Sequence, residues 1–235
     1  MHQVLLDRWS QRASALHARD PRAKIIVLLV FLIVLATTPV QAVVMVGIQA
    51  ALLAAAVLLA GLPFAGVLAR AAVVLPFSLT FGLISWLAGE PLRAVALVEK
   101  SYLSTLAVLL VVGTTPLPRL LSGLEALGVP RLLVLVAQFL YRYLFVISEQ
   151  AQHMRVAAAC RQGSSRHRRP RFRAAAGALA MLFARSYNRA EGVHRAMLAR
   201  AFTGRFSTLG SLRFGAVDGL FVVATSLFLV LVRLQ

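Results

Sequence analysis

The sequence predicts an all-α polytopic membrane protein, with about five transmembrane helices and long cytoplasmic helices between the fourth and the fifth. Three observations carry that expectation. First, 60% of the 235 residues are hydrophobic and only 14% are charged, against ~25% charged in a soluble domain. A soluble fold of this length has too little interior to hide that much apolar surface, and the same composition excludes a disordered chain. Second, no charged residue occurs from Ile25 to Ala69. As one helix that run would be ~68 Å long, against a bilayer core of ~30 Å, so it crosses twice. Third, 25 Lys and Arg stand against 8 Asp and Glu, a net charge of +17, and the basic residues are clustered.

The elements follow in order. Residues 1–24 form a basic flank, with Arg8, Arg12, Arg19, Arg22 and Lys24 against Asp7 and Asp20. This flank is too long and too acidic for the charged start of a cleaved signal peptide. Thr37-Thr38-Pro39 is the expected turn between spans 25–38 and 40–60, because the residue before proline disfavours helix. Gly61-Leu62-Pro63 ends the second span. The third runs over 67–87 with a kink at Pro76. Gly89-Glu90-Pro91 forms a loop, and the fourth span covers 95–113, with Glu99 and Lys100 near enough to its start to reach the interface. The fifth covers 214–232, with Asp218 near one end.

Residues 114–213 differ. They hold 16 Arg and three acids, Glu125, Glu149 and Glu191. A short amphipathic helix is expected over 117–127. A long helix follows Pro130, apolar at first and polar later, and Gly163 with Ser164-Ser165 ends it. A basic loop broken by Pro170 leads to a second long helix over roughly 172–202, closed by Gly204. The chain thus divides into 1–113, the flank with spans one to four; 114–213, a cytoplasmic helical module; and 214–235, the last span. Arg and Lys concentrate on the cytoplasmic side of membrane proteins, so the N-terminus and the basic module are expected in the cytoplasm.

Much chemistry is excluded. Cys160 is the one cysteine, so neither an internal disulfide nor a multi-thiolate zinc site can form. Neither Lys24 nor Lys100 completes a phosphate loop, and no His-Glu-x-x-His motif occurs. Glu191 and His194 are spaced i, i+3, but a metal bundle site needs further ligands that are missing. Glu191 and Arg195 read instead as a structural i, i+4 ion pair. Arg142 lies in an apolar stretch, where a charge is normally paired; Glu149 and Glu125 are the candidate partners. The run Arg166 to Arg171 reads as a topology-setting, lipid-facing loop rather than a nucleic-acid patch. No catalytic residue and no metal ligand set is expected.

What remains is a repeated helix end. One long helix ends Ala159-Cys160-Arg161-Gln162-Gly163, the other Ala199-Arg200-Ala201-Phe202-Thr203-Gly204. An Arg at a helix C-terminus, released by glycine and flanked by small residues, presents a cation on a rigid stalk that a partner's backbone can approach. Two such ends in succession point to docking on other proteins.

Several stretches carry a family resemblance: DPRAK at 20–24, GVPRLL at 128–133, YRYLFVISEQAQHMRVA at 141–157 and LFARSYNRAEGVHRAMLARAFTGRF at 182–206. Over nearly its whole length the chain resembles the transmembrane T component of energy-coupling factor (ECF) importers, most of all the cobalt branch, the CbiQ family. That family's signature is two Ala-Arg-Gly-type motifs at the ends of crossing cytoplasmic coupling helices. Here Ala201 stands where the second motif usually has glycine, and the first has an extra residue before Gly163; both Arg are kept. The resemblance implies a non-catalytic permease subunit of an ATP-driven transporter in the bacterial inner membrane. Its implied partners are two ATP-binding cassette ATPase subunits, which hold the ATP and Mg, and a substrate-binding membrane subunit, with a small accessory membrane subunit in the cobalt type. Arg161 and Arg200 would be the chief contacts to the ATPases. Cobalt as cargo rests on resemblance alone. Nickel or a vitamin such as biotin is the alternative, and a non-transport adaptor recruiting a soluble partner is the rival of another class.

Overall fold

The computed structural model describes residues 14, 16–162, 168–204 and 214–234. The protein is an all-α polytopic membrane protein. Nine α-helices and no strand occur among the described residues: α1 (Pro21–Thr37), α2 (Val43–Leu59), α3 (Phe64–Ala71), α4 (Leu75–Leu87), α5 (Pro91–Thr114), α6 (Leu117–Ala126), α7 (Arg131–Gln162), α8 (Arg168–Ala199) and α9 (Ala216–Leu234). They fall into two compact units, α1–α6 with α9, and α7 with α8.

In the first unit α5 is the hub on which α1, α2, α3 and α4 pack, and α9 lies against α1 and α2. The core gathers Phe31, Val34 and Leu35 of α1, Leu53 and Val57 of α2, Val67 of α3, Leu103, Leu106 and Ala107 of α5, and Leu229 of α9. The helix ends follow from local chemistry. Asp20 caps α1 by accepting from the Arg22 amide at 2.8 Å, with Pro21 in the first turn, where its missing N–H costs nothing. A 3₁₀ turn, Ala72–Val74, joins α3 to α4 just before Pro76, so residues 64–87 run on as one apolar rod. At Gly82 a Cβ would meet Val98 Cγ2 at 3.1 Å and the Ala94 carbonyl at 3.4 Å, so glycine permits the close approach of α4 to α5.

Two polar layers pin the helices together. At the α1 start, Asp218 Oδ1 of α9 accepts from the Asp20 amide at 3.3 Å and lies 3.8 Å from the Arg19 guanidinium. Beside it the buried Lys24 donates to the Thr114 carbonyl at 3.0 Å and to Thr115 Oγ1 at 2.8 Å. At the α1 end, Lys100 of α5 donates to the carbonyls of Ala36 (3.3 Å) and Thr38 (2.6 Å), and Gln49 Nε2 donates to Thr38 Oγ1. Lys100 thus caps the C-terminus of α1. The reason is that the last carbonyls of a helix have no partner inside it.

Four helical stretches are long and apolar enough to cross a membrane: Phe64–Leu87, Pro91–Thr114, Arg131–Arg161 and Ala216–Arg233. The helices α1 and α2 are shorter, at 17 residues each. Arg131–Arg161 was expected outside the bilayer, yet its apolar residues leave it long and apolar enough to span one.

Candidate functional site

The second unit is a pair of helices of 32 residues each, ~48 Å long at 1.5 Å per residue. The first half of α7 and the second half of α8 border one open groove with a volume of about 520 Å³. Leu140, Tyr143 and Ile147 line it from α7, and Val193, Met197 and Phe202 from α8 and its end, with Gln150, Arg189 and His194 as polar lining. The two helices therefore meet antiparallel there. Among their described residues only Val134 is buried, while Leu132, Leu140, Phe183 and Tyr187 are exposed. This pair has almost no interior of its own.

Arg161 occupies the last turn of α7 and is exposed, as are Ala159 and Cys160. Gly163, expected to close that helix, lies outside the described residues, and so does the loop containing Arg166 and His167. The end of α8 is described in full. The Phe202 amide donates to the Met197 carbonyl at 3.0 Å and the Ala201 amide to the Leu198 carbonyl at 3.0 Å. These two bonds are the Schellman closure of a helix, with Arg200 as the capping residue and the next position left-handed. That position is Ala201, at φ +53°. Glycine is the usual residue there because a Cβ in this conformation clashes, at a cost of ~1–2 kcal/mol. The second left-handed residue, Gly204, has φ +80°. The glycine missing from the second motif has therefore left the turn itself unchanged, with alanine forced to adopt it. Ala199, Arg200, Ala201 and Gly204 are all exposed.

The two Arg do not converge. Arg200 lies beside Phe202, at the groove. Arg161 lies eleven residues beyond Gln150, the last α7 residue on the groove, roughly 17 Å further along the helix. Each presents its guanidinium where a separate carboxylate-bearing surface can take it in bidentate fashion.

Glu191 and Arg195 do form the expected i, i+4 pair on the exposed face of α8. Arg142 and Glu149 are both exposed and make no ion pair with each other, because seven residues of helix separate them by ~10 Å. Among the described residues no group of three or more His, Cys, Asp or Glu is arranged to hold a metal ion. The sequence reading missed the buried polar layers. DPRAK at 20–24 carried the signal, since Asp20 and Lys24 stand just before a charge-free run, where each needs a partner.

The family described as CbiQ, cobalt transport protein, matches residues 12–209. The chain is 32% identical over 121 residues to the cobalt transport protein CbiQ of Rhodobacter capsulatus, covering 52% of this chain and 49% of that one. It is 27% identical over 119 residues to the uncharacterized protein MJ1089 of Methanocaldococcus jannaschii, covering 50% of this chain and 44% of the other. The chain matches about half the length of these curated relatives.

Proposed function

The chain belongs to the CbiQ family of cobalt transport proteins, and from that premise we propose that it is the membrane-embedded T subunit of an ATP-driven ECF-type importer of cobalt ions. As a family member it is a membrane component of transport and not itself an enzyme. The single observation that supports the coupling role is the pair of exposed, Arg-bearing helix ends, Ala159-Cys160-Arg161 and Ala199-Arg200-Ala201, set well apart on two long helices with almost no interior. Each Arg engages one ATP-binding cassette ATPase, which holds ATP and Mg. Movement of the two ATPases relative to each other is passed along α7 and α8 toward a separate substrate-binding membrane subunit, with a small accessory membrane subunit as a further partner. The protein sits in the bacterial inner membrane with its N-terminus in the cytoplasm, as the basic flank favours. The cobalt assignment is supported by the name of the Rhodobacter capsulatus relative; the ion itself is held elsewhere in the complex.

The test is the double variant Arg161→Glu, Arg200→Glu, co-expressed with the proposed ATPase and membrane subunits. Recovery of the ATPases should fall at least tenfold, and uptake of Co²⁺ should stop. Full assembly with full uptake refutes the coupling role. Parallel uptake of Ni²⁺ or biotin by the unaltered complex, without Co²⁺ uptake, reassigns the cargo. Assembly without any uptake makes the chain an adaptor.

A further inference from the structure

The first unit contains a mismatch of lengths. The polar layers fix α1 and α5 in register at both ends: Lys24 bonds Thr114, and Lys100 bonds Thr38. The helix between these anchors is ~21 Å long on both strands of the pair, short of the ~30 Å hydrocarbon core. Helix α5 does not stop at Lys100. It continues back to Pro91, and the exposed ion pair of Arg93 with Glu90 marks its polar end. From Arg93 to Thr114 is ~31 Å, a full crossing. The apolar tip of the α4–α5 hairpin, with Ile84, Leu87, Leu92 and Val95 exposed, belongs in the hydrocarbon, and Trp86 lies at the level where indoles favour the interface.

With the Arg93–Glu90 ion pair at the headgroups, the α1 end lies roughly 10 Å beneath them. There the chain leaves helix for the turn 38–42, whose Pro39 and Gln41 are exposed. Irregular backbone facing lipid at that depth is not tolerated unless protein or a water-filled cavity covers it. At the same level Glu99 is exposed and, among the described residues, has no hydrogen bond or ion pair. The neighbouring cation, Lys100, is engaged by carbonyls, and Arg233 in the last turn of α9 is near enough for its charge to act on Lys100. Glu99 instead borders a cavity of about 360 Å³ among α2, α3 and α5, lined also by Gly47, Ala50, Phe64 and Tyr102. A Cβ at Gly47 would meet nothing within 4 Å, so the groove is open there. A lone carboxylate in hydrocarbon is costly and is normally paired.

We propose that the turn 38–42, the Gly47 face of α2 and Glu99 form the seat of a transmembrane helix from the substrate-binding membrane subunit, and that this helix carries a basic side chain opposite Glu99. One helix laid in this groove covers the turn, fills the open space at Gly47 and neutralises the carboxylate. The inference rests on the T-subunit reading and adds to it a surface separate from the Arg-bearing helix ends.

The experiment uses the co-expressed complex of this chain, its ATPases and its membrane subunit. Glu99→Lys, and separately Gly47→Leu, should lower recovery of the membrane subunit at least tenfold while the ATPases are recovered as before. Glu99→Gln, which keeps size and hydrogen bonding, should fall between Glu99→Lys and the unaltered chain. Gln41→Cys, read as labelling above that of the unaltered chain with its own Cys160, should react with a membrane-impermeant maleimide when the membrane subunit is left out, and be protected at least fivefold when it is present. Unchanged recovery with Glu99→Lys and Gly47→Leu overturns the proposal. So does equal maleimide labelling with and without the membrane subunit, which means that a thinned bilayer, and not a partner, accommodates the turn. A chain that recruits ATPases but no membrane subunit in any form fails the T-subunit reading itself, a result distinct from both.

Discussion

The two units of the chain solve opposite problems. The membrane unit holds a continuous core from five of its helices and ties it at both ends of α1, by the buried Lys24 and the half-buried Lys100. The α7–α8 pair, with helices longer than any in the membrane unit, buries one described residue, Val134. Its charges are exposed and its apolar side chains line an open groove. The helix pair has little packing of its own to hold it. The two differ because one turns its polar groups inward and the other turns them outward.

The sharpest way to break that comparison is Lys24→Ala. It removes two charge-assisted hydrogen bonds and leaves the Thr114 carbonyl buried without its donor, so it should cost ~2–3 kcal/mol. Thermal unfolding in detergent reads this directly. Arg161→Glu in the same assay should stay within ~0.5 kcal/mol, as an exposed substitution does. Comparable losses from the two would erase the contrast. A packing counterpart is Gly123→Val in α6. A Cβ there would already meet Pro21 Cβ at 3.1 Å and Ile25 Cδ1 at 3.3 Å. The larger side chain must push α6 off α1, for ~1–3 kcal/mol, and the unfolding midpoint should drop accordingly.

Smaller effects sharpen the picture of the helix pair. Ala201→Gly relieves the left-handed alanine and should stabilise the end of α8 by about 1 kcal/mol. Hydrogen exchange should slow at the amides of Ala201 and Phe202, whose bonds close the turn, while the amides of α5 stay unchanged. Exchange that is unaltered or faster would mean that the turn does not hold in solution. Glu191→Gln should cost no more than ~0.3–0.5 kcal/mol, and less in high salt, because its partner Arg195 lies on an exposed helix face.

The sequence carried much of this. Its hydropathy placed the apolar helices to within a few residues, and Pro39, Pro63, Gly89-Glu90-Pro91 and Gly128 marked where they break. Charge asymmetry separated the α7–α8 segment from the rest, and the Ala-Arg repeats singled out Arg161 and Arg200. Spacing alone also found the Glu191–Arg195 pair, since i, i+4 neighbours on a helix meet wherever the helix is. It could not pair Arg142, because a partner for that charge depends on which helix lies nearby. The match of Arg131–Arg161 to a membrane span in length and apolarity was legible too, but the basic residues around it outweighed it.

Composition and periodicity therefore determined by themselves that this chain is helical, membrane-embedded and basic in one block, since those properties are sums over local residues. The tertiary structure decided what each of these charges bonds: the buried Lys24 on Thr114, the buried Asp218 on the Asp20 amide, and the half-buried Lys100 on the α1 end. It also decided that Glu99 is left facing an open groove. Contacts such as Lys24 with Thr114 join residues far apart in sequence, so no local pattern encodes them. They exist only once helices of unequal length have been set side by side.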